Sequence, residues 1–207
     1  MNPTSLKLNA ACSAGKLEEV RHLLDEGADP NSADEHGCGT LLTFHPQMIE
    51  FLLSRGADPN IQKNQAGASV LAGLAYVNQL ECVRLLLNAG ANVHRGREES
   101  DETPLHHALV SRLPDRTPLV KLLLDRGADP NAKTKPGIYS FNYGGDLRTR
   151  AETPLHRAAA YSPADTIMLL MEAGGDTTIR DINGDSPGTW ALWHLREKSV
   201  LNALTPK

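Results

Sequence analysis

The sequence predicts an all-α chain built as a solenoid of stacked helix-turn-helix units, and three observations carry that prediction. First, Gly27-Ala-Asp-Pro-Asn31 returns at Gly56 to Asn60 and at Gly127 to Asn131, with looser copies at Gly90-Ala-Asn-Val-His94 and Gly174-Gly-Asp-Thr-Thr178. Second, each copy follows a leucine-rich run: Val20 to Leu24, Ile49 to Leu53, Val83 to Leu87, Val120 to Leu124 and Ile167 to Leu170. A helix closing on a glycine that can enter the left-handed region, followed by Asp and Asn beside Pro, reverses the chain. Third, these glycines stand at 27, 56, 90, 127 and 174, in steps of 29, 34, 37 and 47. The steps scatter around one repeat of about 33 residues.

Upstream residues agree with that period. Thr103-Pro104-Leu105-His106-His107-Ala108 and Thr153-Pro154-Leu155-His156-Arg157-Ala158 both fit the opening T-P-L-H-x-A motif of ankyrin repeats. On these motifs the chain resembles an ankyrin-repeat protein from about Leu6 to about Trp193. The resemblance implies one domain with units near 1–31, 32–60, 61–94, 95–131 and 132–178, closed by a cap over 179–207.

In the first unit, helices are expected from about Ser5 to Ala14 and from about Leu17 to Glu26, broken by Gly15. Leu6, Ala10, Ala11, Leu17, Val20, Leu23 and Leu24 form its apolar stripe. The second unit is short, and the deficit falls on its first helix. Only Thr40 to Phe44 precede His45-Pro46, and a residue before proline is biased away from helix. At most a turn or two of helix is expected there, with Phe44 filling the gap. In the third unit helices are expected from Val70 to Val77 and from Leu80 to Asn88, Ser69 replacing the Thr-Pro start. The fourth and fifth units place Thr117-Pro118 and Ser162-Pro163 where a helix N-cap and a first-turn proline belong.

The fifth unit also carries a long insertion over 133–150. Three of the chain's seven Phe and Tyr residues, Tyr139, Phe141 and Tyr143, alternate within it, so an extended strand would put all three rings on one side. A loop of this length in a compact architecture is usually functional or disordered. After Ser186-Pro187 the pattern decays, as in a closing cap. Trp190 and Trp193 stand three apart on one helix face there, and sealing the last apolar surface is their expected role.

Charge and chemistry exclude several functions. A net charge of −4 and a pI near 6.0 give no case for nucleic acid or an anionic membrane. Three widely spaced cysteines, Cys12, Cys38 and Cys82, predict free thiols in a reducing compartment. The N-terminus lacks the layout of a signal peptide, and no apolar run approaches the ~20 residues of a membrane span. A cytoplasmic monomer is the expectation, with export by a route using no cleaved signal still open. His36, Cys38 and His45 lack paired metal-ligand spacing. No nucleophile elbow or phosphate loop is present, so no catalytic residue, cofactor or metal is assigned. The resemblance implies that His106 and His156 are structural histidines bonded within and between repeats.

Protein binding is then the expected function. By resemblance, partners meet the turn tips and the exposed side of each unit's first helix. This selects Tyr76, Glu99, Glu102, Glu152 and Tyr161, to which the insertion adds Tyr139, Phe141, Tyr143, Arg148 and Arg150. Acidic residues cluster at Glu98 to Glu102, whereas Lys133, Lys135, Arg148 and Arg150 flank the aromatic insertion. The Gly-Ala-Asp-Pro-Asn turn is similar to that of bacterial ankyrin proteins, which leaves a toxin-neutralising protein and a host-directed effector as two roles. A structural or self-associating array is the alternative.

Overall fold

A computed structural model of the chain describes residues 3–61, 67–110, 115–140 and 148–205. These residues form helices joined by turns; the only β pairing among them is three isolated antiparallel bridges. The chain divides into two compact units, Met1–Asn92 and Val93–Lys207.

The first unit contains α1 (Pro3–Ser13), α2 (Leu17–Asp25), α3 (Pro46–Ser54), α4 (Val70–Tyr76) and α5 (Leu80–Asn88). α1 packs on α2, α4 on α5, and α3 on α5. Val20, Ile49, Leu52, Val83 and Leu86 are all fully buried. Burying such side chains contributes roughly 1.5–3 kcal/mol each, which outweighs the weak propensity of nine-residue helices to form alone. α4 is capped by Ser69, whose hydroxyl accepts from the Ala72 amide at 3.2 Å.

The second repeat has lost its first helix altogether: residues 40–45 make turns, not helix. The gap is filled differently from the sequence expectation. Phe44 is 56% exposed, whereas Leu41 is fully buried. The Thr43 hydroxyl donates to the Cys12 carbonyl at 2.9 Å, tying the segment to the end of α1. His45 lies against Gly15, where a Cβ would stand 2.7 Å from the imidazole. A glycine with φ of +69° therefore serves both the reversal after α1 and the approach of that ring.

The second unit contains α6 (Pro104–Ala108), α7 (Thr117–Asp125), α8 (Pro154–Tyr161), α9 (Ala164–Glu172), α10 (Pro187–Trp193) and α11 (Lys198–Ala203). α6, α8 and α10 pack in one row, and α7, α9 and α11 in a second. Two expected caps shift by a residue. Thr117 is the first residue of α7 because its amide donates to Asp115 at 3.0 Å while its hydroxyl pairs with Thr166 at 2.8 Å. Pro163, not Ser162, occupies the cap position of α9. The cap tryptophans divide: Trp190 is buried and donates its indole N–H to Asp181 at 3.1 Å, whereas Trp193 is 59% exposed. Only the first of the pair seals the end.

The recurring turn does more than reverse the chain. In each full copy the Asp carboxylate accepts the amide two residues on, at 2.8 Å for Asp29, Asp58 and Asp129. The Asn then reaches the following copy. Asn31 donates to the Gly56 carbonyl at 3.1 Å and accepts from the Asp58 amide at 2.7 Å. Asn60 does the same with Gly90 and Asn92 at 2.9 and 2.8 Å, and Asn131 with Gly174 and Asp176 at 2.8 Å for both. The last residue of the motif is a link between repeats, a role that composition alone did not reveal.

Candidate protein-binding surface

Thr103 and Thr153 each begin a helix with a capping box completed by the histidine three residues later. His106 Nδ1 accepts from the Thr103 amide at 3.1 Å, and Nε2 faces the Glu152 carbonyl at 3.4 Å. His156 repeats this with Thr153 at 3.1 Å and the Asp185 carbonyl at 3.1 Å. With Nδ1 accepting, the proton sits on Nε2 and donates to the next repeat, so both rings are neutral. Burial pushes both below the ordinary histidine range, His106 to about 3 with the Arg157 charge adding to it. They hold repeats together.

Directly behind these histidines lies a buried charge cluster. Arg157 is fully buried; its Nε donates to Glu152 Oε1 at 3.0 Å and its Nη2 to Glu102 Oε1 at 2.7 Å. The other oxygens are also used. Ser100 donates to Glu102 Oε2 at 2.8 Å, and Ser140 donates to Glu102 Oε1 at 2.6 Å. Thr134 and the Arg150 amide donate to Glu152 Oε2 at 2.7 and 2.6 Å. Burial alone would raise both carboxyls, but the Arg157 charge together with the hydrogen bonds each accepts outweighs it and holds each at about 2. Glu102 and Glu152, expected at the surface, are 0% and 1% exposed and offer nothing to a partner. They sit inside because each turn folds back over the helix it precedes, and Arg157 compensates them there. Arg157 escaped the sequence reading since the variable place in T-P-L-H-x-A favours no residue type. The one available signal was the string Glu-Thr-Pro-Leu-His, present at both 102 and 152.

The cluster anchors both described edges of the insertion. Beyond Ser140 and Thr134, the Lys135 amide donates to the Ser100 carbonyl at 2.8 Å and the Thr149 amide to the Ile138 carbonyl at 2.8 Å. Tyr139 pairs with Arg148 as an isolated bridge. On this base Tyr139 stands 51% exposed, with the Arg148 guanidinium 4.4 Å from its ring centroid and donating to its hydroxyl at 2.9 Å. Phe141 and Tyr143 lie outside the described residues.

Tyr76, on the first unit, is 38% exposed. On the second unit Tyr161 is half-buried and meets His194 edge-on at 5.0 Å. Glu99 is exposed but pairs with Arg97. The acidic and basic clusters are not separate faces: Lys135 bridges to Asp101 at 3.0 Å, and Arg95 to Glu98 at 3.2 Å. Arg148 and Arg150 remain without a carboxylate among the described residues. Together with Glu152, Tyr161, Trp190, Trp193 and His194 they line a cleft of about 110 Å3. Among the described residues no group of acidic, histidine and cysteine side chains is arranged to hold a metal, and no helix is long and apolar enough to cross a membrane.

The three-copy ankyrin-repeat family profile matches residues 40–134, and the single-repeat profile matches residues 8–35. The chain belongs to the ankyrin-repeat family. Relatives include the E3 ubiquitin-protein ligase KEG of Arabidopsis thaliana, 35% identical over 73% of this chain and 9% of that protein. Ankyrin repeat and SOCS box protein 6 of Homo sapiens is 30% identical over 72% of this chain and 33% of its own length. The ankyrin-repeat chain thus spans a third or less of these relatives. Among solved structures, an ankyrin repeat domain from Acinetobacter baumannii superposes with a TM-score of 0.76 at 20% identity, covering 95% of each chain. A chain from the complex of a predatory endopeptidase of Bdellovibrio bacteriovorus with an immunity protein gives 0.75 at 23% identity, covering 96% of each. Ankyrin repeats are generally protein-interaction modules, and these likenesses establish the solenoid fold of stacked helix pairs.

Proposed function

We propose that this ankyrin-repeat chain is a non-enzymatic module that captures a protein partner through the second unit, using the edges of the 133–150 insertion and the neighbouring cleft. One observation carries the reading: a half-exposed Tyr139 stacked by Arg148 is held out on a base tied to fully buried charges. Holding an aromatic ring in water on a rigid base leaves it ready to bind without further loss of chain entropy. Tyr and Arg are also the side chains most often found as interface anchors.

Replacing Tyr139, Phe141 and Tyr143 together with Ser is expected to abolish capture of the partner recovered from the native source, with the melting curve nearly unchanged. Unaltered capture by that variant counts against the insertion as the gripping element. The captured protein, identified by mass spectrometry, also separates the two roles left open, neutralising a toxin and holding a host protein. An endopeptidase is a sensible first bait, because one solved neighbour comes from an endopeptidase complex.

A further inference from the structure

We infer that the cleft around Arg150 and Trp193 is an acceptor for an acidic segment of the partner, a carboxylate meeting Arg150 while an adjacent apolar side chain covers Trp193. The inference rests on the protein-binding reading and narrows it to a partner chemistry.

The unclaimed donors of the guanidinium groups carry it. Arg95 and Arg97 on the turn of the fourth repeat, and Lys135 at the start of the insertion, are each paired with a carboxylate. In the cleft and beneath it, the acid oxygens already hold other donors. Glu152 has two donors on each oxygen, Arg157 on one and Thr134 with the Arg150 amide on the other. Asp181 gives one oxygen to the Asn183 and Asp185 amides and the other to the Trp190 indole. Neither accepts a hydrogen bond from the Arg150 side chain, whose guanidinium makes none among the described residues and lies 6.0 Å from the Trp190 ring centroid. Among the described residues Arg148 donates to neutral oxygens, the Gly137 carbonyl and the Tyr139 hydroxyl.

The site therefore offers guanidinium N–H donors that no carboxylate among the described residues claims, beside exposed apolar surface. Trp193 at the rim is 59% exposed and Ile182 is 62% exposed, while Tyr161 and His194 close one wall edge to face. A guanidinium resting near an indole keeps its fork of N–H donors for a carboxylate, which it binds by charge-assisted hydrogen bonds. A lone anion would leave the indole of Trp193 in water; an acidic residue next to an apolar one satisfies both.

The chain has two tryptophans, and both line this cleft, so intrinsic fluorescence reads occupancy directly. The probe is an acetylated, amidated octapeptide of alternating Glu and Leu. A Gln and Leu peptide and a short oligothymidylate serve as comparisons. The Glu peptide is expected to shift the emission saturably, and to bind about tenfold or more weakly to Arg150→Gln, the loss of one charge-assisted contact. Arg150→Lys, keeping the charge, retains most of the binding. Equal binding of the Gln peptide, equal or tighter binding of oligothymidylate, or an unchanged affinity in Arg150→Gln overturns the assignment. If the peptide is ignored while the Tyr139, Phe141 and Tyr143 variant loses its partner, the acidic acceptor falls and the binding module stands. If the peptide binds while that variant keeps its partner, the acceptor stands and the insertion loses its role.

Discussion

Arg157 sits where exposed charge would be expected, at the variable position of a repeat motif, yet it is fully buried between two carboxylates. A buried ion pair is weak evidence of stability against an apolar replacement, but removing one partner strands the others. Arg157→Met is therefore expected to cost ~3–5 kcal/mol in urea unfolding at neutral pH, by the magnitude for broken buried pairs. Adding Glu152→Gln to that variant should recover part of the loss, since one stranded charge disappears. A full additive loss in the double variant would show that the three groups do not act together. At this scale the sequence was half legible. His106 and His156 were readable because their capping geometry lies within four consecutive residues. Glu102 and Glu152 were misplaced at the surface because their burial depends on one shared cation, 55 residues from the first and 5 from the second, at a motif position open to any residue type.

Helix ends were the best-read elements, since a left-handed glycine and an Asx turn are local chemistry. Gly27, Gly56, Gly90, Gly127 and Gly174 all have φ between +85° and +92°. Less legible was the missing first helix of the second repeat: proline announced its shortening, but not that Leu41, Thr43 and His45 would fill the gap instead of Phe44. The Asn link also belongs to this scale. Asn60→Ala removes one donated and one accepted bond between consecutive turns, each worth about 0.5–1.5 kcal/mol. A loss of about 1–2 kcal/mol is expected in chemical denaturation, and Asn60→Asp, which keeps only the acceptor, should fall between. No change in the alanine variant would mean that water replaces both bonds at no cost.

Across the whole molecule, the groups whose ionisation the fold depends on are unevenly shared. Glu102, Glu152, His106 and His156 all lie in the second unit, Val93–Lys207. The carboxyls are held at about 2 against an ordinary 4.5, so their contribution is full above pH 4.5 and lost as pH falls through 2. His106 is held neutral, at about 3 against 6.5, so unfolding is favoured progressively as pH drops below 6.5 towards 3. Both effects have one sign: stability falls with acid. Hydrogen exchange at pH 7 and pH 4 should show helices α6 to α10 losing protection before α2 to α5. Simultaneous loss would point to one cooperative transition instead. The buried cluster has a further consequence for how such a chain diversifies. Ser140 is fastened to Glu102, and Thr149 to the backbone of Gly137 and Ile138, with eight residues between the two. On the proposed function, substitution within that stretch alters the quarry without rewriting the frame, as an interchangeable jaw is fitted to a fixed handle.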